Sequence, residues 1–531
     1  MSAALGAAFG PGSAAADPVI RGSSFADYQS NAALPLAKKL GRPPRDIAAD
    51  MIRHLDLDGV AEPPEVSGPG FINFRLLPGW IAAEATGELL HPRLGVEPAG
   101  RAELVVVDYS GPNVAKELHV GHLRATVVGD ALVRVLEHLG HTVVRAAHLG
   151  DWGTPFGMLI EHALDIGEDA THKQIASGEF TAFYQAARAE FDREPGFAGR
   201  ARRRVALLQG GERESRRLWQ VLVSSSMEYL MAIYQRLGVT LTEDDMAPES
   251  FYNPMLAGVN AELEAAGIAV ISDGALCAFP AGFTGRDGTP LPLMLRKSDG
   301  GYGYDTTDAA AIRYRLVDLH ARRLIYVVGS DQGQHLQMVF ELAREAGWLT
   351  DGATAEHAVI GLVTGADGKR LKTRTVEQVK LATVIDEAVE RAGRVIADRY
   401  DDPDQRDQIA DAVGVGALKY GDLSVARDSS YVFDYDRMLA LTGNTGPYLQ
   451  YATARIRSIF RRAGLEPAVA TAPIQITGDA ERALALHLLG FGTALYQVAE
   501  TTHPHLLAGF LFDVASAFTT FYEQCPVLQA A

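Results

Sequence analysis

A strand, a loop, a helix and a second strand follow one another along residues 103–153, and this order constrains the fold more than any other feature of the sequence. Glu103 to Val107 is a β-prone run that ends at Asp108. Gly121 to Leu139 has the apolar spacing of a helix, and Thr142 to His148 is the second strand. Strands joined through a helix in this way lie parallel, with a right-handed crossover. Because ligands bind at the carboxyl ends of such strands, the sequence predicts a binding site beside Asp108.

The rest of the chain divides into three predicted domains. Its 531 residues are enough for roughly two to four domains at about 150 residues each. Residues 1–101 are mixed α+β, residues 102–386 are Rossmann-like α/β with a charge-dense helical insertion near 171–241, and residues 387–531 are almost entirely helical. In the first domain we expect helical spacing over Ser23 to Leu40 and a strand over Phe71 to Leu76. The expected class is therefore α/β, with an α+β domain before the parallel sheet and an all-α domain after it.

Composition excludes several classes of protein. Hydrophobic content of 47% and charged content of 22% exclude a disordered chain. A net charge of −17 excludes a general polyanion binder, so any nucleic-acid contact requires a local basic face or a shaped pocket. The 2 cysteines are too few for a disulfide framework or a cysteine zinc cluster. With no secretory pattern and no apolar run of about 20 residues, we expect a cytoplasmic protein without a membrane span.

The loop after the first strand contains the strongest local motif, which reads His-Val-Gly-His from His119 to His122. It opens the predicted helix, whose first backbone N–H groups favour anions such as phosphate. Histidines there can donate hydrogen bonds to phosphate oxygens, and Gly121 lets a flat base approach the backbone. The alternative, a metal site at the two histidines, is weaker because only isolated carboxylates lie nearby in sequence. We therefore predict a nucleotide phosphate site and no metal site.

A second motif, Gly-Ala-Asp-Gly-Lys-Arg-Leu-Lys-Thr-Arg, runs from Gly365 to Arg374. Its Asp-Gly pair predicts a turn that presents Lys369 and Lys372 on one loop. Ammonium groups over a triphosphate would stabilise the charge that develops on the leaving pyrophosphate. An ordinary solvent-facing basic loop is the alternative when this motif is taken alone.

Together the two motifs resemble the paired signature of class I aminoacyl-tRNA synthetases, and longer strings resemble arginyl-tRNA synthetases in particular. The resemblance covers about residue 25 to the last residue. The strings that carry it begin at Asp27, Asp108, Gly150, Arg296 and Gly443: DYQSNAALPLAKK, DYSGPNVAK, GDWGT, RKSDGGYGYDTTD and GNTGPYLQY.

The resemblance implies a reaction and a set of residues. The family forms an adenylate from L-arginine and ATP, with Mg²⁺ carried by the ATP, and transfers arginine to the terminal adenosine of tRNA(Arg). It implies that ATP is bound by His119, Gly121, His122, Lys369 and Lys372, with the same histidines and lysines and Lys116 in catalytic roles.

The resemblance also implies a pocket for arginine and contacts for tRNA. A guanidinium offers five donors in a planar fork, so it requires acceptors around it. The residues at the family's arginine positions are Asp108, Asn113, Tyr304, Asp308 and Gln332. Without the resemblance, Tyr304 and Asp308 would be taken as surface residues of a helix, and Phe71 as a core residue. The implied tRNA contacts are Phe71 and Asn73 in the first domain, and Tyr448, Tyr451 and Arg455 in the anticodon-binding bundle.

Two departures from the family leave alternatives open. Thr375 to Gln378 replaces a stretch that usually contains glycine, and the chain stops soon after Tyr522 to Leu528, where family members continue with another helical stretch. We therefore expect an anticodon bundle that is shortened, and a monomer, with a dimer through exposed C-terminal helices as the alternative. A paralogue that supplies activated arginine or arginyl-tRNA to another pathway is the second hypothesis. A non-catalytic tRNA-binding protein is the third.

Overall fold

The structure is a computed structural model that describes residues 1–23, 25–114, 116–176, 180–369, 371, 379–397, 401–465 and 472–529. Its helices are α1 Ser2–Phe9, α2 Ala33–Leu40, α3 Pro44–Arg53, α4 Pro78–Leu90, α5 Val120–His138, α6 Thr154–Ile166, α7 Glu168–Ala176, α8 Phe180–Arg193, α9 Pro195–Gln209, α10 Arg213–Leu237, α11 Glu249–Ala265, α12 Tyr304–Arg313, α13 Gly333–Glu345, α14 Leu381–Ile396, α15 Pro403–Leu423, α16 Tyr435–Met438, α17 Gly446–Ala463, α18 Asp479–Leu488, α19 Phe491–Thr501 and α20 His505–Gln524. Its strands are β1 Ile20–Gly22, β2 Tyr28–Ser30, β3 Glu65–Ser67, β4 Phe71–Phe74, β5 Leu104–Tyr109, β6 Thr142–Ala146, β7 Ala269–Ser272, β8 Ala275–Ala278, β9 Leu293–Arg296, β10 Arg323–Val327, β11 Thr354–His357, β12 Val363–Thr364 and β13 Tyr431–Val432.

The chain forms two compact units. One contains Met1–Val96, Arg455–Gly492 and Asp513–Ala531, and the other contains Glu97–Ala454 and Thr493–Phe512. The three domains expected from sequence, 1–101, 102–386 and 387–531, divide the chain differently and stay a prediction.

A parallel sheet organises the larger unit. Its strands lie in the order β11-β10-β5-β6, and β5 pairs with β6 on one side and β10 on the other. The strands β5 and β6 and the crossover helix α5 form the βαβ unit predicted from sequence, and the predicted α/β class is confirmed. Val105, Val106 and Val107 are at most 1% exposed, as expected for a strand covered on both faces.

A smaller antiparallel sheet adjoins the parallel one in the same unit. Its order is β7-β8-β9, and its apolar residues share a core with α11, α12 and α13. This shared core sets α12 and α13 beside the carboxyl edge of the parallel sheet. The predicted helical insertion is formed by α7 to α10, where Glu161 of α6 pairs with Arg200 and Arg204.

A buried arginine joins α5 to the segment between α15 and β13 in the same unit. Arg124 of α5 is 0% exposed and donates to the carbonyl oxygens of Ala426 (2.8 Å) and Ser429 (2.5 Å). Its Nε lies 3.4 Å from a carboxylate oxygen of Asp422, at the end of α15. Burial raises the pKa of Asp422 to about 7, although the charge of Arg124 lowers it. These contacts hold the start of α5 against the segment that contains β13.

The smaller unit contains an antiparallel sheet in the order β1-β2-β4-β3, with a core that includes Leu5, Ile47 and Met51. The expected strand at Phe71 is present as β4. The expected helix over Ser23 to Leu40 is wrong in its first half, because β2 occupies Tyr28–Ser30 and pairs with β4. Strand pairing therefore overrides the local helical spacing there.

Helix α20 is an exception to the prediction that no segment is long and apolar enough to span a membrane. By length and composition alone, His505–Gln524 is such a helix. Ala508, Ala515 and Phe518 of this helix are buried in the protein.

Candidate active site

A cavity of about 420 Å³ lies at the carboxyl edge of β5 and β10. Its walls come from residues 110–125 after β5, residues 327–332 after β10, and residues 360–371. A larger cavity, of about 570 Å³, lies in the smaller unit between α4 and residues 473–476, and no titratable side chain is among its described lining residues. We take the cavity at the sheet edge as the candidate site because polar groups converge on it.

The loop after β5 is held in a strained path that sets the floor of this cavity. Ser110 has a φ of 63°, and its hydroxyl is buried, 2.8 Å from the Tyr234 hydroxyl and 2.7 Å from Oγ1 of Thr126. A Cβ on Gly111 would lie 2.7 Å from the carbonyl oxygen of His148, so only glycine fits. Similarly, a Cβ on Gly150 would lie 2.4 Å from Oδ1 of Asn113. The two glycines thus let the strand ends of β5 and β6 meet closely.

The two histidines of the first motif cap the start of α5. The backbone N–H of Gly121 donates to Nδ1 of His119, and that of His119 donates to Nδ1 of His122, both at 3.1 Å. Because each Nδ1 accepts a hydrogen bond, each neutral ring carries its hydrogen on Nε2. The ring centroids are 3.8 Å apart, and a Cβ on Gly121 would lie 2.9 Å from the His119 ring. The glycine therefore makes room for the paired rings.

His122 is a neutral donor at the cavity wall. Burial, together with the charges of His119 and Lys116, lowers its pKa to about 3. It lines the cavity together with His119 and Gly121, as the sequence predicted for a phosphate site. A neutral Nε2–H beside the N-terminus of a helix favours a phosphate oxygen.

The second motif lies at the same edge. The Asp-Gly turn brings Lys369 to the end of β12, where its carbonyl oxygen accepts from Gly365 at 2.8 Å. Lys372 lies outside the described residues. After the loop, the backbone pairs with the first motif: Val120 N–H donates to Val379 at 2.9 Å, and His119 is bridged to Lys380. Within the motif itself, Leu371 lines the cavity together with His119 and His122.

Lys116 has a partner that the sequence did not indicate. Its Nζ lies 4.1 Å from the centre of the Tyr184 ring, on α8 of the helical insertion. A cation over an aromatic face is attracted by the ring, so Tyr184 holds this ammonium.

Asp108 pairs with a residue of this chain. Its carboxylate lies 2.6 Å from the guanidinium of Arg315, and both side chains are nearly inaccessible. Burial would lower the pKa of Arg315, but the charge of Asp108 raises it well above its ordinary value. Arg315 also lies 5.2 Å from the Tyr326 ring centre. The role of Asp108 in holding a substrate stays a prediction, since the structure gives its carboxylate an internal guanidinium.

The remaining residues predicted to bind arginine lie around the same edge. Asn113 and Gln332 line the cavity. Tyr304 is 63% exposed at the start of α12, and its ring centre lies 5.0 Å from that of His335. Asp308, one turn later, accepts a hydrogen bond of 2.6 Å from Nε2 of His335.

Several charged residues that the sequence did not single out surround Asp308. His148 lies 3.7 Å from its other oxygen. Burial, together with the charges of Asp151 and Asp308, raises the pKa of Glu249 to about 8. The one local signal for His335 is its position three residues after Gln332, on one face of a helical segment.

The predicted tRNA contacts are not among the described residues that line this cavity. Phe71 and Asn73 share the outer face of β4, since the alternate residues Ile72 and Phe74 are buried. Phe71 is therefore half-buried and not part of the core. Asn73 accepts from Gln29 (2.8 Å) and donates to Ser67 (3.0 Å).

The C-terminal candidates all lie on α17. The Tyr448 ring centre is 5.7 Å from that of Phe512, Tyr451 is 49% exposed, and the Arg455 guanidinium lies 4.8 Å from the Tyr522 ring centre. Among the described residues, no group of three or more histidine, cysteine, aspartate and glutamate side chains is arranged to hold a metal ion.

Comparison with known protein families gives three matches along the chain. Residues 86–435 match the model of the class I (R) tRNA synthetase catalytic domain. Residues 1–76 match the arginyl-tRNA synthetase N-terminal domain, and residues 449–531 match the DALR anticodon-binding domain.

Individual relatives align over nearly the whole chain. An arginine–tRNA ligase of Thermobifida fusca is 57% identical, over 100% of this chain and 92% of that protein. One of Erwinia tasmaniensis is 45% identical, over 97% and 90%. Arginyl-tRNA synthetase from Plasmodium falciparum matches in structure with a TM-score of 0.82 and 30% identity, over 99% of this chain and 91% of the other. The Thermus thermophilus enzyme matches with a TM-score of 0.79 and 25% identity, over 99% and 93%. The chain therefore belongs to the arginyl-tRNA synthetase family of class I synthetases.

Proposed function

We propose that this chain is an arginine–tRNA ligase, which activates L-arginine with ATP and transfers the arginyl group to the 3′-terminal adenosine of tRNA(Arg). The observation that carries the proposal is the cavity at the carboxyl edge of β5. There the paired histidines at the start of α5 lie on the same edge as the carboxylate of Asp308. One half of the site suits phosphate and the other suits a cation, as arginine and ATP require.

The phosphate half supports the activation step. In that step a carboxylate oxygen of arginine bonds to the α-phosphorus of ATP while the bond to the bridging oxygen of the pyrophosphate breaks. The Nε2–H of His122 and the N-terminus of α5 are placed to stabilise charge on the phosphate oxygens. Lys369 adds a cation at the same edge. Mg²⁺ enters with ATP as part of the substrate.

The cation half supports the choice of arginine. Asp308 is 25% exposed in its side chain, and its oxygen opposite His335 lies 3.7 Å from Nε2 of His148. That oxygen is the acceptor we assign to the guanidinium. The ring of Tyr304 lies beside it as a wall, and Asn113 and Gln332 supply polar groups at the cavity.

Transfer then moves the arginyl group from the adenylate to a ribose hydroxyl of the tRNA, and AMP leaves. The half-buried outer face of β4 and the aromatic and basic residues of α17 are the surfaces we assign to tRNA. We place the reaction in the cytoplasm, since Cys277 and Cys525 are both free thiols.

The test is arginine-dependent exchange of labelled pyrophosphate into ATP, with and without tRNA(Arg), followed by acylation of that tRNA. We expect exchange with arginine and not with lysine, because a compact ammonium does not fill a planar acceptor set. Acylation by the same preparation distinguishes the ligase from a paralogue that only supplies activated arginine. Equal exchange with lysine and arginine would contradict the arginine pocket.

A further inference from the structure

His335, on α13, bridges two carboxylates of the neighbouring helix α12. Its Nε2 lies 2.6 Å from Oδ2 of Asp308, and its Nδ1 lies 3.6 Å from Oδ1 of Asp305. The second oxygen of Asp305 already accepts the Met294 N–H at 2.7 Å. The three side chains are between 13% and 25% exposed, so water screens them only in part. The imidazole is therefore a partner shared by both carboxylates.

Charged groups from several elements face this cluster. Asp308 has His148, which follows β6, 3.7 Å from its other oxygen. Burial would raise the pKa of Asp308, but the hydrogen bond with His335 and the charges of His148, His335 and Arg315 lower it below its ordinary value. The titratable groups coupled to this cluster come from β8, β10, α11, α12, the segment after β6 and the turn after α12: Cys277, Tyr326, Glu249, Tyr304, His148 and Arg315. Asp151 and Asp108 act at one remove, through Glu249 and Arg315.

We propose that His335 is a positioning residue whose proton is exchanged for the guanidinium of the substrate, so that arginine binding at Asp308 releases a proton. The inference rests on the proposed function, because it needs arginine to bind at Asp308. It goes further in assigning to His335 a role that makes arginine affinity depend on pH.

The exchange follows from charge balance. A protonated imidazole and a guanidinium that share one carboxylate repel each other across a few ångströms in a partly desolvated site. Burial lowers the pKa of His335, but its hydrogen bond to Asp308 and the charges of Asp308 and Asp305 raise it above its ordinary value. When the guanidinium neutralises Asp308, this support is withdrawn and the pKa of His335 falls. The proton leaves to solvent, and the net charge of the occupied site stays as it was.

Linkage sets the size of the effect. Below the raised pKa of His335 the imidazole is protonated, so each arginine bound releases up to one proton. Between the pKa of His335 in the arginine complex and its raised pKa in the free chain, the dissociation constant for arginine then rises by up to about tenfold for each unit by which the pH falls, and below both values it is flat again. Above the raised pKa no proton is released and affinity is flat. Lowering the pH therefore weakens arginine binding through His335.

Calorimetric titration of the full chain with L-arginine, at several pH values from 6 to 8 and in two buffers of different ionisation enthalpy, measures the protons released. His335→Gln keeps an amide N–H near the position of Nε2 but does not titrate. We expect it to bind arginine within about threefold of the wild type at pH 8 and to lose the pH dependence assigned to His335. His487→Gln, at an exposed histidine of α18, is the control and should match the wild type.

The experiment also requires a variant of Glu249, because the raised pKa of this carboxyl group makes it a second source of released protons. Chains with His335 and with His335→Gln are therefore compared again when both also carry Glu249→Gln. Any difference in proton release between these two chains belongs to His335 alone. Proton release that is unchanged by His335→Gln in both backgrounds, or an absence of release in the wild type, overturns the inference and leaves the proposed function standing. Failure of the folded wild type to bind arginine overturns both.

Discussion

The two ring nitrogens of His122 have different proposed roles: Nδ1 caps helix α5, and Nε2 donates to a ligand in the cavity. A single substitution usually removes both roles at once. Nδ1 accepts the His119 N–H at 3.1 Å, and the hydrogen on Nε2 is the donor proposed for phosphate. Asparagine places an acceptor oxygen near the position of Nδ1 and has no atom at Nε2. Glutamine places an N–H near the position of Nε2 but loses the short capping geometry. The pair of substitutions therefore tests donor and cap independently.

The expected magnitudes differ by role. His122→Asn should lower the rate of arginine activation by about 10²–10³-fold, the usual effect of losing one transition-state donor. It should leave stability within about 0.5 kcal/mol, because the cap is kept. His122→Gln should keep activation within about tenfold of the wild type and destabilise the chain by about 0.5–2 kcal/mol, the usual cost of a lost N-cap.

Pyrophosphate exchange measures activation, and thermal unfolding at one scan rate compares stability. The rate should also be insensitive to the titration of His122 near neutral pH, since burial holds its pKa at about 3. If His122→Asn keeps more than about a tenth of wild-type activation and His122→Gln is the less active of the two, Nδ1 capping and not Nε2 donation is what the reaction needs.

Three further predictions follow from contacts in the larger unit. Arg124→Met should destabilise the chain by about 3–5 kcal/mol, because it leaves the fully buried Asp422 without a counter-charge. Adding Asp422→Leu should recover most of that loss when the thermal unfolding of the single and double variants is compared. Asp308→Asn should weaken arginine binding by about 1.5–3 kcal/mol, while the KM for ATP in pyrophosphate exchange stays the same. An equal change in the KM values for arginine and ATP would argue against a role confined to arginine. Gly129→Ala should lower the free energy of unfolding by about 1–3 kcal/mol, because the added Cβ would lie 2.3 Å from the buried ring of Tyr109. An unchanged melting temperature would show that α5 shifts freely over β5.

The strand–helix–strand unit and both signature motifs were predictable from the sequence because their determinants are local. Apolar spacing sets the strands and the helix, and the histidines that cap α5 lie within three residues of each other. The segment from Ser23 to Leu40 shows the limit of this approach. Its helical spacing is real, yet pairing of Tyr28–Ser30 with β4, more than 40 residues away, makes a strand there.

What surrounds the site was decided by the tertiary structure. Asp108 was predicted to hold substrate, but the fold pairs it with Arg315, which lies more than 200 residues later. His335 carried no motif of its own, and only the packing of α13 against α12 brings it between Asp305 and Asp308.

The division has a physical reason. Backbone propensity, capping and turn chemistry act between residues a few positions apart, so the sequence alone determined the strand–helix–strand unit, the motifs and the family. Charge pairing depends on distance in space and on exclusion of water, which exist only after strands from distant parts of the chain have paired into one sheet. The tertiary structure therefore decided that Asp108 is paired with Arg315 within the chain, whereas Asp308 is left partly exposed beside two histidines.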